Sequence, residues 1–376
     1  MEDFKFDKII LKPEDVDLSY SPLRKNIKEE TYVLGAFNPG MSRLKNGNLI
    51  IMVRVAEALK NPIHSGKIFC IRKDITKGYV LDGYKLDDVD VSDPRIFSIK
   101  KFLPTYVCAV TSISWILPVE LSEDGGEIVK IHYDKIISPQ KSYQEYGIED
   151  ARVSFIDDKY YMTTCSVSSE RQCTTLYSST DGLNYHLEGI VLDHQNKDML
   201  LFEGKINGLY HAMTRPLGFL YFATAKNCIY NPGPSINLSK SKDLLYWKPE
   251  EKPFIRANKK HVMFEKIGGG AQPILTPQGW LILFHGVETK NGSQIYRTYW
   301  AILDKDNPTK ILFSEMDKPL LEANNKLTKN MQDKIYLNNV VFTTGIVDGD
   351  DKYIVASGEL DLCVRITHIP KSRLTY

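Results

Sequence analysis

Hydrophobic positions in this chain come as short runs, alternating or fully apolar, bounded by Gly, Asn, Asp and Pro. Leu49-Ile50-Ile51-Met52-Val53, Tyr160-Tyr161-Met162-Thr163-Thr164 and Trp280-Leu281-Ile282-Leu283-Phe284 are examples. Long stretches of 3.6-residue periodicity are hard to find, so the pattern predicts many short antiparallel strands and little helix. A tight polar turn that leads into an aromatic or apolar strand recurs along the chain. It reads Lys45-Asn46-Gly47-Asn48-Leu49, Asp157-Asp158-Lys159-Tyr160-Tyr161, Asn207-Gly208-Leu209-Tyr210, Gln278-Gly279-Trp280-Leu281 and Asp350-Asp351-Lys352-Tyr353. Asn-Gly and Asp-Asp pairs tolerate positive φ and favour hairpins.

A second turn follows some of these hairpins: Ser122-Glu123-Asp124-Gly125, Ser179-Thr180-Asp181-Gly182 and Ser241-Lys242-Asp243-Leu244. The three Asp positions lie 57 and 62 residues apart. Ser-x-Asp is a locally hydrogen-bonded loop, and a four-stranded unit repeated at this length predicts a β-propeller. Five or six hairpin signals predict five or six blades. No Pro-, Gly- or Ser-rich linker interrupts them, so residues 1–376 are expected to form one all-β domain. The segment Ile10–Lys28 and the charged stretch Glu322–Lys334 read as excursions outside the blades.

Composition narrows the function. Lys and Arg number 48 against 47 Asp and Glu, a net charge of +1. That balance lacks the basic excess that nucleic acid or an anionic membrane surface asks for. No run approaches a membrane span. Aromatic residues make up 11%, with 21 Tyr and 4 Trp; their faces suit sugar rings, although tyrosine also favours strands. The six cysteines form no C-x-x-C pair and mostly sit in apolar runs, which predicts reduced thiols and no zinc site. Met1-Glu2-Asp3-Phe4-Lys5 shows no signal-peptide pattern. A cytoplasmic setting is therefore expected, and neither metal nor organic cofactor is implied.

The chemistry-bearing candidates are the polar positions that interrupt apolar strands. Gly147-Ile148-Glu149-Asp150-Ala151-Arg152-Val153 places two carboxylates beside an arginine. In a regular strand Asp150 and Arg152 share a face, while Glu149 and Asp150 do not. The pair is an acid/base site with its own orienter, or a structural ion pair. Asn38 precedes Pro39 and is expected to be extended. Arg54 ends an apolar strand and needs either a partner or a ligand. Glu203 and Lys205 share a strand face, and Arg215 ends the next strand. The loop Phe264 to Pro273 carries Glu265 and three glycines, which suit the close approach of a ring or another backbone better than a phosphate cradle. His285 closes the following strand, either as a sugar-hydroxyl partner or as a packed ring. Asp150, Glu203, Glu265 and Asp361, with Arg54, Arg152, Lys205 and Arg215, fall at comparable places in successive repeats. A mixed-charge polar funnel fits carbohydrate.

Taken in order, these stretches resemble glycoside hydrolase family 130 over nearly the whole chain. The resemblance rests on Phe37-Asn38-Pro39, Arg54, Gly147 to Arg152, Lys205-Ile206-Asn207-Gly208-x-Tyr210, Arg215-Pro216, Ile267 to Ile274, Gly279 to Val287, Val340-Val341-Phe342 and Gly358–Asp361. It implies a five-bladed β-propeller that acts on β-mannosides by inversion, as a phosphorylase or as a β-1,2-mannosidase. It further implies Asp150 as the acid, acting through a sugar hydroxyl, and Asn38, Arg54 and Asp361 as mannose contacts. Three departures bear on the nucleophile. The phosphorylase pattern has Pro-Glu-Lys before the Ile-Asn-Gly hairpin and His before Arg-Pro; here they read Glu203-Gly204-Lys205 and Thr214-Arg215-Pro216. His186 stands where an Arg is expected. Carboxylates at Glu203 and Glu265 would repel phosphate, since two like charges about 4 Å apart cost roughly 4 kcal/mol at an effective dielectric of 20.

The expectation from sequence is therefore an inverting exo-acting β-mannosidase. Asp150 serves as acid, Glu203 or Glu265 activates water, and Arg152, Lys205, Arg215 and His285 contact substrate. A phosphorylase releasing mannose 1-phosphate is the alternative, kept open by Lys205, Arg215 and Arg171 and recognisable by three or more basic side chains converging beside Asp150. A non-catalytic sugar-binding propeller is a third reading. The partner is a β-mannoside oligosaccharide, with inorganic phosphate in the alternative; oligomeric state is not readable.

Overall fold

The computed structural model describes residues 4–93, 95–102, 107–218, 220–258 and 265–376. Met1 to Asp3 and Phe264, both used in the sequence reading, lie outside these. The described chain is almost entirely strand and loop, with short 3-10 turns as its helical elements. Among the described residues no helix is long and apolar enough to cross a membrane.

Five antiparallel units follow one another, the fourth of five strands and the others of four, with one parallel pairing of Ser114 and Gly147 joining the first two. The first comprises Thr31–Arg43, Leu49–Leu59, Ser112–Leu121 and Ile128–Ile131; the second Gly147–Ile156, Lys159–Val167, Gln172–Ser179 and His186–Leu192. The third comprises Asn196–Leu201, Tyr210–Pro216, Asn237–Ser241 and Lys248–Pro249. In the fourth, Lys266–Gly269 and Ile274–Thr276 share one edge of Gly279–Lys290, followed by Ser293–Leu303 and Ile311–Glu315. The fifth takes Val341–Asp348, Lys352–Glu359 and Cys363–Pro370 from the C-terminus, and its last strand, Asp7–Leu11, from the N-terminus.

The continuous apolar runs have a simple origin, because both faces of each sheet are covered. Leu49, Ile51 and Val53 enter a cluster with Ile354, Val364 and Ile366 of the fifth sheet. Their neighbours Ile50 and Met52 enter another with Ile148, Val153 and Met162 of the second. Likewise Trp280, Ile282 and Phe284 pack on the third sheet, while Leu281 and Leu283 pack on the fifth. The second and third sheets meet through Ile156, Leu176, Met199 and Leu201. This is a propeller-like all-β fold.

The Ser-x-Asp turns take the expected form. Ser122, Ser179 and Ser241 each donate to the carboxylate two residues on, at 2.6, 2.9 and 3.1 Å. Each turn joins the third and fourth strands of its sheet. One element is absent from the sequence reading. The described residues of the segment 60–111, inserted between the second and third strands of the first sheet, include two small three-stranded sheets. Their alternation cannot be told from that of the main strands. Of the expected excursions, 12–28 is a chain of 3-10 turns, whereas Ile10 and Leu11 belong to the closing strand.

A buried ion cluster fastens that closing strand. Arg365 donates from Nε and Nη2 to the two oxygens of Asp7 at 2.7 and 2.8 Å, and from Nη1 to Glu359 at 3.0 Å. Removing one partner strands a buried guanidinium. We expect Asp7→Ala to lower the unfolding free energy in urea by about 3 kcal/mol, the lower end for a broken buried pair because Glu359 remains. A loss below ~0.5 kcal/mol, the scale of an ordinary surface change, would show that this pair does not hold the strand.

Candidate active site

The innermost strands of the first three sheets share a local irregularity. Each breaks register near the cleft: between Phe37 and Gly40, between Glu149 and Arg152, and between Lys197 and Leu200. Each break holds a residue with left-handed backbone, Asn38 (φ 46°), Asp150 (φ 50°) and Asp198 (φ 57°). Asn and Asp enter this region more readily than other non-glycine residues. Asn38 is thus left-handed, not extended as its Pro neighbour predicts. The bulge also overturns the alternation expected at Glu149 and Asp150, because both carboxylates face one guanidinium. Arg54 donates from Nη2 to Glu149 at 2.9 Å and from Nη1 to Asp150 at 3.1 Å, and from Nε to Ser114 at 3.0 Å.

Second strands add the remaining side chains: Arg54 in the first sheet, Arg215 in the third and His285 in the fourth. Asp361 (φ 51°) stands on the turn between the second and third strands of the fifth. Asn38, Arg54, Asp150, Lys197, Asp198, Arg215, His285 and Asp361 line one cleft of about 370 Å³, within the ~300–1,000 Å³ of small-ligand sites. Arg95 from the insertion and Tyr336 border it.

The charges interlock. Asn38 Nδ2 donates to Asp150 at 2.9 Å, and Lys197 Nζ to Glu149 at 3.0 Å. Arg215 Nε lies 2.6 Å from Asp198 Oδ2 without the alignment of a hydrogen bond. Burial alone would raise the Asp150 carboxyl, but Arg54, then Lys197 and Arg152, more than offset it and hold it well below the usual range. Burial pushes Asp361 up to about 6, opposed by Arg54 and reinforced by the charge of Asp150. Glu149 and Asp150 raise Arg54 against its burial, and Glu149 raises Lys197, so both stay cationic.

Arg152 takes a different place from the one expected. It is 2% exposed and does not line the cleft. Its Nε donates to the Gly270 carbonyl at 2.8 Å, Nη1 to the Asp150 carbonyl at 2.6 Å and Nη2 to Asp198 at 3.2 Å. It ties the inner edges of the second, third and fourth sheets together behind the acids. The glycines allow that approach. A Cβ on Gly268 would come 2.5 Å from His285 Cε1 and 2.7 Å from Arg215 Cδ.

Four residues singled out in the sequence lie elsewhere. Glu203 accepts from the Phe155 amide at 3.1 Å. Phe155 is five residues along the strand from Asp150, about 16 Å at strand rise, which is beyond the reach of a base sharing a sugar with Asp150. Lys205 is exposed and paired with Asp157 at 2.7 Å over the Tyr210 ring. Glu265 is exposed, takes a hydrogen bond from Thr289 at 2.7 Å and is not part of the cleft lining. Arg171 pairs with Asp193, also off the cleft. The sequence reading missed Lys197 and Asp198. A signal was available: Asn196-Lys197-Asp198 precedes the run Met199–Phe202 much as Glu149-Asp150 precedes Val153–Phe155. Arg95 carried none, because it arrives on the insertion.

Fold and cleft together are those of a carbohydrate-active enzyme, with an acid held among cations at the mouth of stacked sheets. A family profile described as β-1,4-mannooligosaccharide phosphorylase matches residues 102–375. The β-1,2-mannobiose phosphorylase of Listeria innocua is 31% identical over 352 residues, covering 90% of this chain and 89% of that protein. A β-1,2-mannobiose phosphorylase of Thermoanaerobacter sp. is 31% identical over 262 residues, 68% of this chain and 77% of that one. The structure of the Listeria enzyme with β-1,2-mannobiose superposes with a TM-score of 0.79 at 28% identity, covering 97% of this chain and 95% of that one. The chain belongs to glycoside hydrolase family 130, and it is a mannoside-acting enzyme.

Glu203 offers a check on its placement. Burial raises its carboxyl from 4.5 to about 7, with the hydrogen bonds from Phe155 and Gln272 opposing. The folded state then holds a proton that the unfolded state has lost between those values, so stability falls as pH rises from about 4.5 to 7. At 1.36 kcal/mol per unit the full cost is roughly 3 kcal/mol. Glu203→Gln is expected to flatten urea midpoints across this window and to leave kcat within about twofold of wild type. A large fall in kcat would return Glu203 to the active site.

Proposed function

We propose that this chain is an inverting β-mannoside phosphorylase acting on β-1,2-linked mannose, built as a single five-bladed propeller. Five shared apolar clusters support the propeller reading, the last joining the fifth sheet to the first. The phosphorylase reading is carried by one observation. Arg54, Lys197 and Arg215 converge on the cleft of Asp150, while Glu203 and Glu265, the expected activators of water, lie outside it. The alternative of the sequence analysis is therefore preferred here to hydrolysis, and the phosphorylase names of the relatives favour the same choice.

In this reading Asn38, Arg54 and Asp361 hold the mannose to be transferred, and Lys197 and Arg215 seat phosphate on its far side. A phosphate oxygen forms the new bond to the anomeric carbon as the glycosidic C–O bond breaks. The leaving oxygen takes the bond's electron pair and the proton of Asp150, relayed through a sugar hydroxyl as the family resemblance implies. The proton lost from hydrogenphosphate restores Asp150. In the free cleft the cations keep Asp150 ionised; a bound dianion offsets them and raises its proton affinity. Buried thiols at Cys70, Cys165, Cys173 and Cys363 fit a reducing, cytoplasmic setting.

With β-1,2-mannobiose, we expect mannose 1-phosphate and mannose in equal amounts, and turnover only when inorganic phosphate is present. Equal release of mannose without phosphate would overturn the reading. Asp150→Asn should lower kcat by about 10²–10⁴, the span of general acid catalysis, and still bind mannobiose. Lys197→Ala should raise the KM for phosphate at least ~10-fold, the loss of one charge-assisted contact.

A further inference from the structure

The His285 imidazole is fixed on one side. Its Nδ1 lies 3.2 Å from the Gly269 carbonyl oxygen. A carbonyl only accepts, so Nδ1 carries the hydrogen of the neutral ring and Nε2 is left with a lone pair. The residue is 1% exposed, lines the cleft, and its Nε2 has no hydrogen-bond partner within the protein. Burial pushes the imidazole down to about 3, opposed by Asp198, with Arg215, Arg152 and Lys266 adding to the fall. The ring therefore stays neutral near pH 7.

It cannot swing easily either. Tyr296 and Phe342 lie against it with centroids at 5.8 and 4.7 Å, and the Gly268 backbone sits against its Cε1 and against Arg215. A hydrogen-bond acceptor is thus held rigidly beside the Arg215 guanidinium, in the cleft that Lys197 also lines. Asp198 Oδ2, ion-paired with Arg215 Nε at 2.6 Å but not aligned for a hydrogen bond, lies beside the same guanidinium. A site meant only for a fully deprotonated anion would present donors alone.

We propose that His285 selects a protonated oxyanion: its Nε2 accepts the P–OH hydrogen of hydrogenphosphate and so excludes sulfate, which has the same charge and shape but no hydrogen to give. Sulfate would set an oxygen lone pair against the Nε2 lone pair and leave a buried acceptor unpaired. The inference rests on the phosphorylase reading and adds ion selectivity to it.

The test is steady-state phosphorolysis of β-1,2-mannobiose with phosphate or arsenate as nucleophile and sulfate as competitor. Wild type should use arsenate, which keeps its hydroxyl, and bind sulfate roughly 10- to 100-fold more weakly than phosphate, the scale of an unpaired buried acceptor. His285→Phe, with the fold checked by mannobiose binding, should raise the phosphate KM about 10-fold or more and leave the sulfate Ki unchanged or tighter. Parallel weakening of phosphate and sulfate would make His285 a donor and overturn the proposal. If His285→Phe does not fold, the wild-type ratio decides alone: sulfate competing as well as phosphate refutes it. Mannose release without phosphate would refute both readings, whereas phosphate dependence with no discrimination against sulfate would refute only this one.

Discussion

The left-handed bulge at Asp150 is the constraint on which the site depends. A pleated strand sends neighbouring side chains to opposite faces, which would bury Glu149 in a sheet interface or turn it from Arg54. With φ at 50°, the strand yields one residue's pairing and gains two carboxylates on one guanidinium. The same device at Asn38 and Asp198 delivers a polar side chain from each of the first three sheets to a common level. Backbone of this kind costs of order 1 kcal/mol or more per residue unless its surroundings hold it. Arg152 is much of that surrounding, since it takes the Asp150 carbonyl, the Gly270 carbonyl and the Asp198 carboxylate in one fork. Arg152 reads in sequence as half of an ion pair with Asp150; it pairs with Asp198 and supports Asp150 through its backbone.

The network around the cleft is nearly balanced in charge. Arg54, Arg152, Lys197 and Arg215 face Glu149, Asp150, Asp198 and Asp361. Balance makes the burial of so many ions tolerable, because all but Asp361 have an oppositely charged partner within about 3.2 Å. It also has a chemical consequence. A dianion entering such a network brings negative charge that only protons can offset, and the carboxylates are where they bind. Asp361, already raised to about 6, and Asp150, poised between cations, both gain proton affinity when phosphate arrives. In the proposed phosphorylase reading, the acid is then loaded by the nucleophile that needs it.

Much of the architecture was legible because both faces of each sheet are covered. Leu49 to Val53 and Trp280 to Phe284 are apolar without a break because alternate residues serve different neighbours, and the Ser-x-Asp turns mark the same corner of successive sheets. Asp150, Arg54, Asn38 and Asp361 were found as polar interruptions of such runs. The errors share one cause. Period-two reasoning assumes regular backbone, and the site is where the backbone is irregular. It placed Asn38 in extended geometry, separated Glu149 from Asp150, and took Glu203 as the acid of the third sheet when the bulge five residues earlier presents Asp198. The insertion that carries Arg95 repeats ordinary strand pattern and has no mark of its own.

The choice between water and phosphate follows from the same electrostatics. Water is a poor nucleophile until a base removes its proton, and a base needs a lone pair not already committed. Asp198 is held by Arg152 and Arg215, Glu149 by Arg54 and Lys197, and Asp150 by Arg54 and Asn38. Asp361 is the least tied, yet it sits with Arg54 and Arg95 on the side assigned to the sugar; the free Nε2 of His285 belongs to a ring whose burial makes it a weak base. Phosphate needs no such base, for it arrives as an anion and asks for cations on which to rest. A cleft whose carboxylates are occupied by its own arginines and lysine is poorly equipped to activate water and well equipped to position an oxyanion. Converting it to hydrolysis would require releasing one of those carboxylates, and therefore unmaking part of the network that keeps the bulged strands in place.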